Sequence, residues 1–514
     1  MQVTWKVEGR ISLKSNDSTI ANVFPGMLPL AGVQVKVSAR EKILGVWGPF
    51  NSWDTVTTNS DGYFEVKKEK DKSDRQFKIE VLFKDNTLKI YPENDGLWNT
   101  ITEGFTDMFG QITDKVEDAV EQLLEQTSRI AYDVKWFKIL DEDKDDKKHS
   151  HGTIDFGYFI FGGSSKQDLG DSIAVKHATA WFVYKKVFSV FNGFGKTLHF
   201  DDKKPVALKY PHDNPIIGDN TEAAYSDPYN YIIFIIRNKK SDWFNVDTIV
   251  HELMHIWAYQ HCEKEKAMAW QLAIHGSTHS GLQKKSFVAF HEGFAEWASN
   301  RLTRLIFGKD SDIYGGTTDT GVPFSRRFLK GKNVKNESDI DKSEYAWISL
   351  FNILMTPDLH LHNFNSSTDY AAAMSSSSVT VPSRHVCSSP ALTFDEILSV
   401  FIEHESDGYK KVLTKNEMNL DDFLERAKDI SDKITQDHVE AIKILLDPSK
   451  TDSAVSVICL PLKAPRKPGE DWKPPKDLQQ PPVISGRRRA DNKKETDKAG
   501  SRANRRPATK SKKT

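Results

Sequence analysis

The stretch that most constrains this chain is NVDTIVHELMHIWAYQH, residues 245–261, which places His251, Glu252 and His255 within an otherwise apolar helical pattern. Three ionisable side chains in a core helix cost free energy unless they are paired or bound to a metal ion. Histidines at positions i and i+4 lie on one face of a helix, one turn apart. One zinc ion binds both imidazoles at about 2.0–2.1 Å in that arrangement. The spacing therefore predicts a zinc-binding helix, with Asn245 or Asp247 as its N-cap.

Glu252 is the residue after the first histidine, so its side chain points about 100° away around the helix. We do not expect it to be an equal third ligand. We expect it to hold the attacking water and to accept its proton, as a general base does.

A third protein ligand is expected from FHEGFAEW, residues 290–297, where Glu292 and Glu296 are again i and i+4 on a helix rich in aromatic residues. We assign Glu292 as the third ligand and Glu296 as the acceptor for a ring N–H of His251. His275 and His279, in AIHGSTHSG, remain alternative ligands or hydrogen-bond donors, since both ligand types suit zinc.

HELMH followed by HEGFAEW resembles the gluzincin branch of the zincin metallopeptidases, in which an Asn-Glu-Gly-Phe-Ala-like motif supplies the third ligand. The resemblance implies a zinc-dependent peptidase with His251, His255 and Glu292 as ligands and Glu252 as base. Two departures stand out: His291 replaces the usual Asn, and the spacing from His255 to Glu292 is long.

The gluzincin resemblance extends to two further parts of the chain. PVALKYP and EAAYSDPYNYIIFIIR are similar to the small sheet that precedes the zinc helix in these enzymes, whose edge strand pairs with an extended peptide. Tyr345 is the candidate oxyanion donor by analogy, although buried tyrosines commonly serve only in packing.

Length and composition indicate a multidomain α+β protein. The chain has 514 residues, enough for about three domains of ~150 residues each. Its three cysteines are far apart and form no CxxC pair, so we expect neither a disulfide framework nor cysteine-bound zinc. We find no signal-peptide pattern and no membrane-spanning run, and therefore expect a cytoplasmic protein, or one exported by a route that needs no signal peptide.

Residues 1–92 have the short alternating strands and turn signals of a β-sandwich. VEGRI, PLAGVQVKV and TTNSDGYFEV resemble transthyretin-like, carboxypeptidase-regulatory-like modules, which implies a docking or adhesion role. Residues 93–153 are predicted to be a helical connector with a charged loop. Residues 154–460 are predicted to be the zincin-like α+β domain.

Residues 461–514 contain 17 Lys and Arg against 6 Asp and Glu, together with eight prolines, so we expect a disordered basic tail. Aromatic residues are nearly absent from it, and we expect no nucleic-acid binding there. We expect a protein or peptide as substrate. The alternative is a non-catalytic adaptor or adhesion protein whose zincin-like domain is a scaffold. The domain order is also similar to that of some metallopeptidase toxins delivered by contractile secretion systems.

Overall fold

The first strand shows the two-residue alternation expected of a half-buried strand. The side chains of Trp5, Val7 and Ile11 are fully buried, whereas Lys6 and Arg10 between them are at least partly exposed. The same alternation recurs in the strands that pair with it, so the sequence pattern sets which face of each strand enters the core.

The computed structural model describes residues 2–43, 46–71, 75–91, 136–141, 153–163, 172–201, 204–212, 224–228, 230–237, 244–262, 282–283, 285–307, 340–355, 359–364, 383–388, 390–401, 419–446 and 456–461. The strands are β1 (Gln2–Leu13), β2 (Leu28–Pro29), β3 (Gln34–Ile43), β4 (Val46–Trp47), β5 (Asn51–Thr57), β6 (Tyr63–Asp71), β7 (Arg75–Leu82), β8 (Leu88–Tyr91), β9 (Trp136–Asp141), β10 (Thr153–Phe161), β11 (Val206–His212), β12 (Ala224–Asp227), β13 (Ile232–Ile236), β14 (Leu359–Phe364), β15 (Ser383–Ser388) and β16 (Ser456–Pro461). The helices are α1 (Ser18–Val23), α2 (Ser172–Gly193), α3 (Val246–Cys262), α4 (Ser286–Phe307), α5 (Glu344–Met355), α6 (Phe394–Ser399), α7 (Leu420–Ile430) and α8 (Gln436–Leu446). The predicted mixture of helices and strands is confirmed.

Two sheets are built mainly from the N-terminal strands. In the first sheet, β1 pairs in parallel with β10 and antiparallel with β6 and β2. In the second sheet, β3 pairs antiparallel with β7, β5 and β4, and β7 continues to β9. The rings of Trp5 and Phe77 lie 5.5 Å apart and both side chains are fully buried, so the two sheets share one hydrophobic core. The transthyretin-like resemblance of this part stays a prediction.

The third sheet has the strand order β12-β13-β11-β8. Strands β8, β11 and β13 run parallel, and β12 is antiparallel at the edge. The five residues of β13, IIFII, are all buried, as expected for a continuous apolar run covered on both faces. Both stretches predicted as strands match the structure: PVALKYP, residues 205–211, overlaps β11, and YNYIIFIIR contains β13.

Strand pairing crosses the domain boundaries that the sequence suggested. Strands β9 and β10 follow residue 92, yet β9 belongs to the second sheet and β10 to the first. Strand β8 precedes residue 92, yet it belongs to the third sheet. One hydrophobic cluster includes residues from Trp5 to Ile442. The predicted boundaries at residues 92 and 153 therefore do not coincide with the edges of the sheets.

The fourth sheet has the order β15-β14-β16, all antiparallel. Strand β15 lies within residues 366–390, a stretch rich in Ser and Thr. Most of the predicted helical connector, residues 93–153, and the predicted tail after residue 461 lie outside the described residues. Among the described helices, none is long and apolar enough to cross a membrane.

Helices α3, α4 and α5 form the centre of the C-terminal half, packed through aromatic rings. Trp257 of α3 contacts Phe294 of α4, with ring centroids 5.6 Å apart, and both rings contact Phe401. This aromatic packing fixes α3 against α4, and it is along these two helices that the ionisable residues singled out in the sequence lie.

Candidate metal centre

Helix α3 begins where the sequence predicted. The side-chain oxygen of Asn245 accepts a hydrogen bond from the backbone N–H of Thr248 at 2.7 Å, as an N-cap residue does. Asp247 lies in the first turn, where a negative charge favours the helix. With the helix fixed at this residue, His251 and His255 occupy one face, one turn apart.

Three side-chain atoms converge between α3 and α4. The Nε2 atoms of His251 and His255 are 3.1 Å apart, and Oε2 of Glu292 lies 3.3 Å from each of them. All three residues are buried, each about 5% exposed. The three residues can hold a metal ion, because two imidazole nitrogens and a carboxylate oxygen face one point.

Glycine at position 293 allows α4 to approach α5 closely. A Cβ atom at Gly293 would lie 2.7 Å from Cβ of Trp347 and 2.8 Å from the carbonyl oxygen of Glu344. Both distances are shorter than real carbon contacts, so any larger residue would push the helices apart. The residue before this contact is Glu292, and the close crossing therefore sets the position of its carboxylate.

Glu296 lies on the other side of the His251 ring. Its Oε2 is 3.5 Å from Nδ1 of His251, and its Oε1 accepts a hydrogen bond of 2.8 Å from the amide of Asn300. With Nδ1 facing Glu296, Nε2 of His251 is left to face His255 and Glu292. A metal-binding histidine usually has such an acceptor on its second nitrogen.

The carboxylates also control the charge of His251. Burial disfavours the imidazolium, but hydrogen bonds to Glu292 and Glu296 and the negative charge of Glu252 outweigh it and raise the pKa of His251 well above its ordinary value. An environment that stabilises a proton on this ring also stabilises a bound cation, because both bring positive charge to the same place.

Glu252 is 6% exposed and follows His251 on α3. Tyr184 of α2 lies within its electrostatic reach: burial, and then the charge of Glu252, raise the pKa of Tyr184 well above its usual value. Within the described part of the chain, the hydroxyl of Tyr184 is buried and has no hydrogen-bond partner. Sequence reasoning missed this residue because AWFVYKKVF has the pattern of an ordinary core helix.

His291 is fully buried, and its ring packs 4.4 Å from that of Phe287 and 5.3 Å from that of Phe290. Neither ring nitrogen has a hydrogen-bond partner among the residues that the structure describes. Burial, and then the proximity of His255, lower the pKa of His291 to about 3. His291 is therefore a neutral side chain beside the three convergent residues.

The side chains of the other residues that the sequence singled out lie outside the described part of the chain. Tyr345 is the second residue of α5, and its side chain falls outside the described part of the chain. His275 and His279 lie outside the described residues altogether. Their suggested roles as donor or alternative ligands stay predictions.

No family model matches the chain, and no curated protein matches it either. A solved structure, a 9R-lipoxygenase from Cyanothece PCC8801, is similar over 71% of this chain and 34% of that one, with 10% identity and a TM-score of 0.14. So weak a likeness carries no argument about fold or activity. What this chain binds and does must therefore be inferred from the three convergent residues and their surroundings.

Proposed function

We propose that this protein is a zinc-dependent peptidase, in which His251, His255 and Glu292 hold the metal ion and Glu252 is the general base. The observation that carries this function is the triangle formed by the three donor atoms, with sides of 3.1, 3.3 and 3.3 Å. In a tetrahedral zinc site with bonds of about 2.0–2.1 Å, neighbouring donor atoms lie about 3.3–3.4 Å apart. The donors thus fit zinc with little rearrangement.

The donor set also supports a catalytic rather than a structural ion. Structural zinc sites usually have four protein ligands, often cysteines, whereas catalytic sites have three and an open fourth position. Two histidines and one glutamate form such a three-ligand set, and the described residues add no fourth donor to the cluster. Zinc bound there would polarise a substrate carbonyl and lower the pKa of a water molecule toward about 7.

The position of Glu252 on α3 supports its role as the general base. Glu252 is on the same turn of α3 as His251 but offset around the helix, so it can face the water without occupying a ligand position. A carboxylate there accepts the proton of the attacking water and then donates it to the leaving amine. The neighbouring Tyr184 keeps its own proton, because burial, and then the charge of Glu252, raise its pKa.

The third sheet supports an extended peptide as substrate. Strand β12 is at the end of the sheet, pairs with β13 on one side, and packs near α3. Within the described chain no strand pairs with its outer edge, so the backbone N–H and C=O groups there can pair with a peptide. Such pairing would lay the peptide beside α3, the helix that carries His251 and His255.

The Glu252→Gln variant tests this function, because it removes the base and keeps the size of the side chain. We expect about one zinc per chain in both the wild type and the variant, measured by elemental analysis. Hydrolysis of labelled casein and of short peptides should fall by about 10²–10⁴-fold in the variant. His255→Ala is the matched control, in which both zinc and activity should be lost.

Full activity in Glu252→Gln would contradict the assigned base. A wild type that holds zinc but hydrolyses none of these substrates would favour the alternative, a scaffold in an adaptor or adhesion protein. Docking through the N-terminal sheets and delivery as a toxin remain predictions. Toxicity in a neighbouring cell's periplasm that Glu252→Gln leaves unchanged would rule out the toxin hypothesis.

A further inference from the structure

We infer that Asn300 is a positioning residue for the metal centre: its amide holds the Glu296 carboxylate in the orientation that receives the Nδ1–H of His251. This role rests on the proposed zinc site and adds a residue that neither the sequence motifs nor the three convergent ligands identify. Asn300 lies on α4 one turn after Glu296, at the partly exposed edge of the buried cluster.

The orientation of the Asn300 amide is set by its two neighbours. Its Nδ2 lies 2.8 Å from Oε1 of Glu296 and 3.1 Å from the backbone oxygen of the same residue. Both partners are acceptors, so the nitrogen of the amide must face them and the oxygen must face away. Each of the two N–H groups then has one acceptor, which leaves the amide a single favourable position.

Glu296 needs such an anchor because the terminal torsion of a glutamate side chain is only weakly restricted. Without a fixed donor, its carboxylate can rotate and turn Oε2 away from Nδ1 of His251, which is 3.5 Å distant. The hydrogen bond from Asn300 to Oε1 keeps Oε2 directed at the ring. Glu296 is 1% exposed, so water has little access to supply this donor instead.

The consequence is a chain of three groups that leads from the edge of α4 to the metal centre. Asn300 donates to Oε1 of Glu296, Oε2 of Glu296 lies 3.5 Å from Nδ1 of His251, and Nε2 of His251 faces His255 and Glu292. A neutral amide holds the carboxylate without neutralising its charge, so Glu296 remains a full acceptor for the ring N–H. Loss of the amide should therefore loosen the ring of His251 and weaken metal binding.

Asn300→Asp tests this role, since it replaces the donor by an acceptor of the same shape and adds a like charge beside Glu296. The zinc dissociation constant, measured by competition with a chromogenic chelator, should rise by about tenfold. Mutation of a residue that hydrogen-bonds to a metal ligand typically weakens metal affinity by about 10–100-fold, and Asn300 is one group further from the metal. Asn300→Ala should raise the dissociation constant less. The visible spectrum of the Co²⁺ form should change in both variants.

Ser299→Ala is the matched control. The Ser299 hydroxyl donates to the backbone oxygen of Glu296 at 3.0 Å and leaves its carboxylate untouched. Zinc affinity should stay at the wild-type value in this variant. In a Glu296→Ala background, Asn300→Asp should have no further effect on zinc affinity, because Asn300 acts only through that carboxylate. Circular dichroism should show that each variant is folded, and Asn300→Ala serves if Asn300→Asp does not fold.

Wild-type zinc affinity in both Asn300 variants, with weakened affinity in Glu296→Ala, would overturn the role of Asn300 and leave the proposed function intact. An Asn300→Asp effect of the same size with and without Glu296 would also overturn it. A wild type that binds no zinc would overturn the proposed function itself, and this role with it.

Discussion

Two buried histidines in this protein have opposite charge preferences. His251 of α3 is 5% exposed and His212 of β11 is 1% exposed, so water is nearly excluded from both. The pKa of His251 is raised well above its ordinary value, whereas burial lowers the pKa of His212 to about 3. Burial alone disfavours the charged ring, so the difference must come from the neighbours.

The contacts that the structure describes for the His212 ring are with aromatic side chains. Its Nε2 is 2.8 Å from the hydroxyl of Tyr225, and its ring packs 4.9 Å from that of Phe234. Lys209, on the same strand, also has a pKa lowered to about 8 by burial, an effect that the charge of Asp227 opposes. His251 instead lies beside Glu292 and Glu296. The comparison teaches that carboxylates, and not burial, prepare the α3–α4 region for a cation.

The largest expected effect is the acid sensitivity that His212 gives the fold. Its pKa is about 3 in the folded protein and about 6.5 in the unfolded chain, so only the unfolded state binds the proton between these values. The titration of His212 therefore leaves the free energy of unfolding unchanged above pH 6.5. It lowers this free energy as the pH drops from 6.5 to 3. The full loss is about 4–5 kcal/mol at 1.36 kcal/mol per unit.

The His212→Gln variant measures this loss, since the amide can accept from Tyr225 but does not titrate. Urea unfolding of chelator-treated protein at pH 6.5 and pH 4 should show a smaller loss on acidification in the variant than in the wild type. His438→Gln, at a partly exposed histidine that contacts Thr435, is the control and should keep the wild-type loss. Equal losses in wild type and His212→Gln would show that the ring is protonated in the folded state.

The two regions were not equally visible in the sequence. HELMH and HEGFAEW specify helical positions i and i+4, so the faces carrying His251, His255, Glu292 and Glu296 could be predicted from spacing alone. His212 could not, because a lone histidine at the end of a β-strand has no pattern that separates it from other strand residues. Its burial depends on the residues that cover the third sheet.

Long-range pairing explains most of what the sequence missed in the fold. Strand β10 pairs in parallel with β1, and β8 pairs in parallel with β11, across more than a hundred residues in each case. Turn signals mark only local connections, so boundaries drawn from them separate strands that the fold joins. Asn300 was missed for a similar reason, because its role depends on the rotamer of Glu296.

The Glu292→Gln variant tests the comparison next, because it makes the surroundings of His251 more like those of His212. Glu292→Gln removes a negative charge next to both histidines, and zinc affinity should fall by more than the ten- to hundredfold typical of an outer partner. A hundredfold change is about 2.7 kcal/mol of binding free energy. In the metal-free protein, the pKa of His251 should also fall, which nitrogen-detected NMR can follow.

Glu344→Gln is the control for Glu292→Gln. Glu344 is another buried carboxylate, 3% exposed, at the start of α5, and it accepts a hydrogen bond from Gln283. Its charge does not belong to the donor triangle, so zinc affinity should stay within a few-fold of the wild type. Equal zinc affinity in Glu292→Gln and wild type would show that the third ligand is another residue, with His275 and His279 the first to test.

The smallest expected effect concerns how rigidly the α4–α5 contact at Gly293 holds the Glu292 carboxylate. Gly→Ala in an open helix stabilises by about 1 kcal/mol, because alanine has the higher helix propensity. At Gly293 the added Cβ would meet Trp347 and the carbonyl oxygen of Glu344 at less than 3 Å, so overpacking should destabilise the fold by about 1–3 kcal/mol. Urea unfolding measures whether Gly293→Ala stabilises or destabilises the fold. Zinc competition measures the zinc affinity, which should be weaker because Glu292 is displaced. A stabilised Gly293→Ala with unchanged zinc affinity would mean that α4 and α5 can separate freely, and that the position of Glu292 is set by α3 instead.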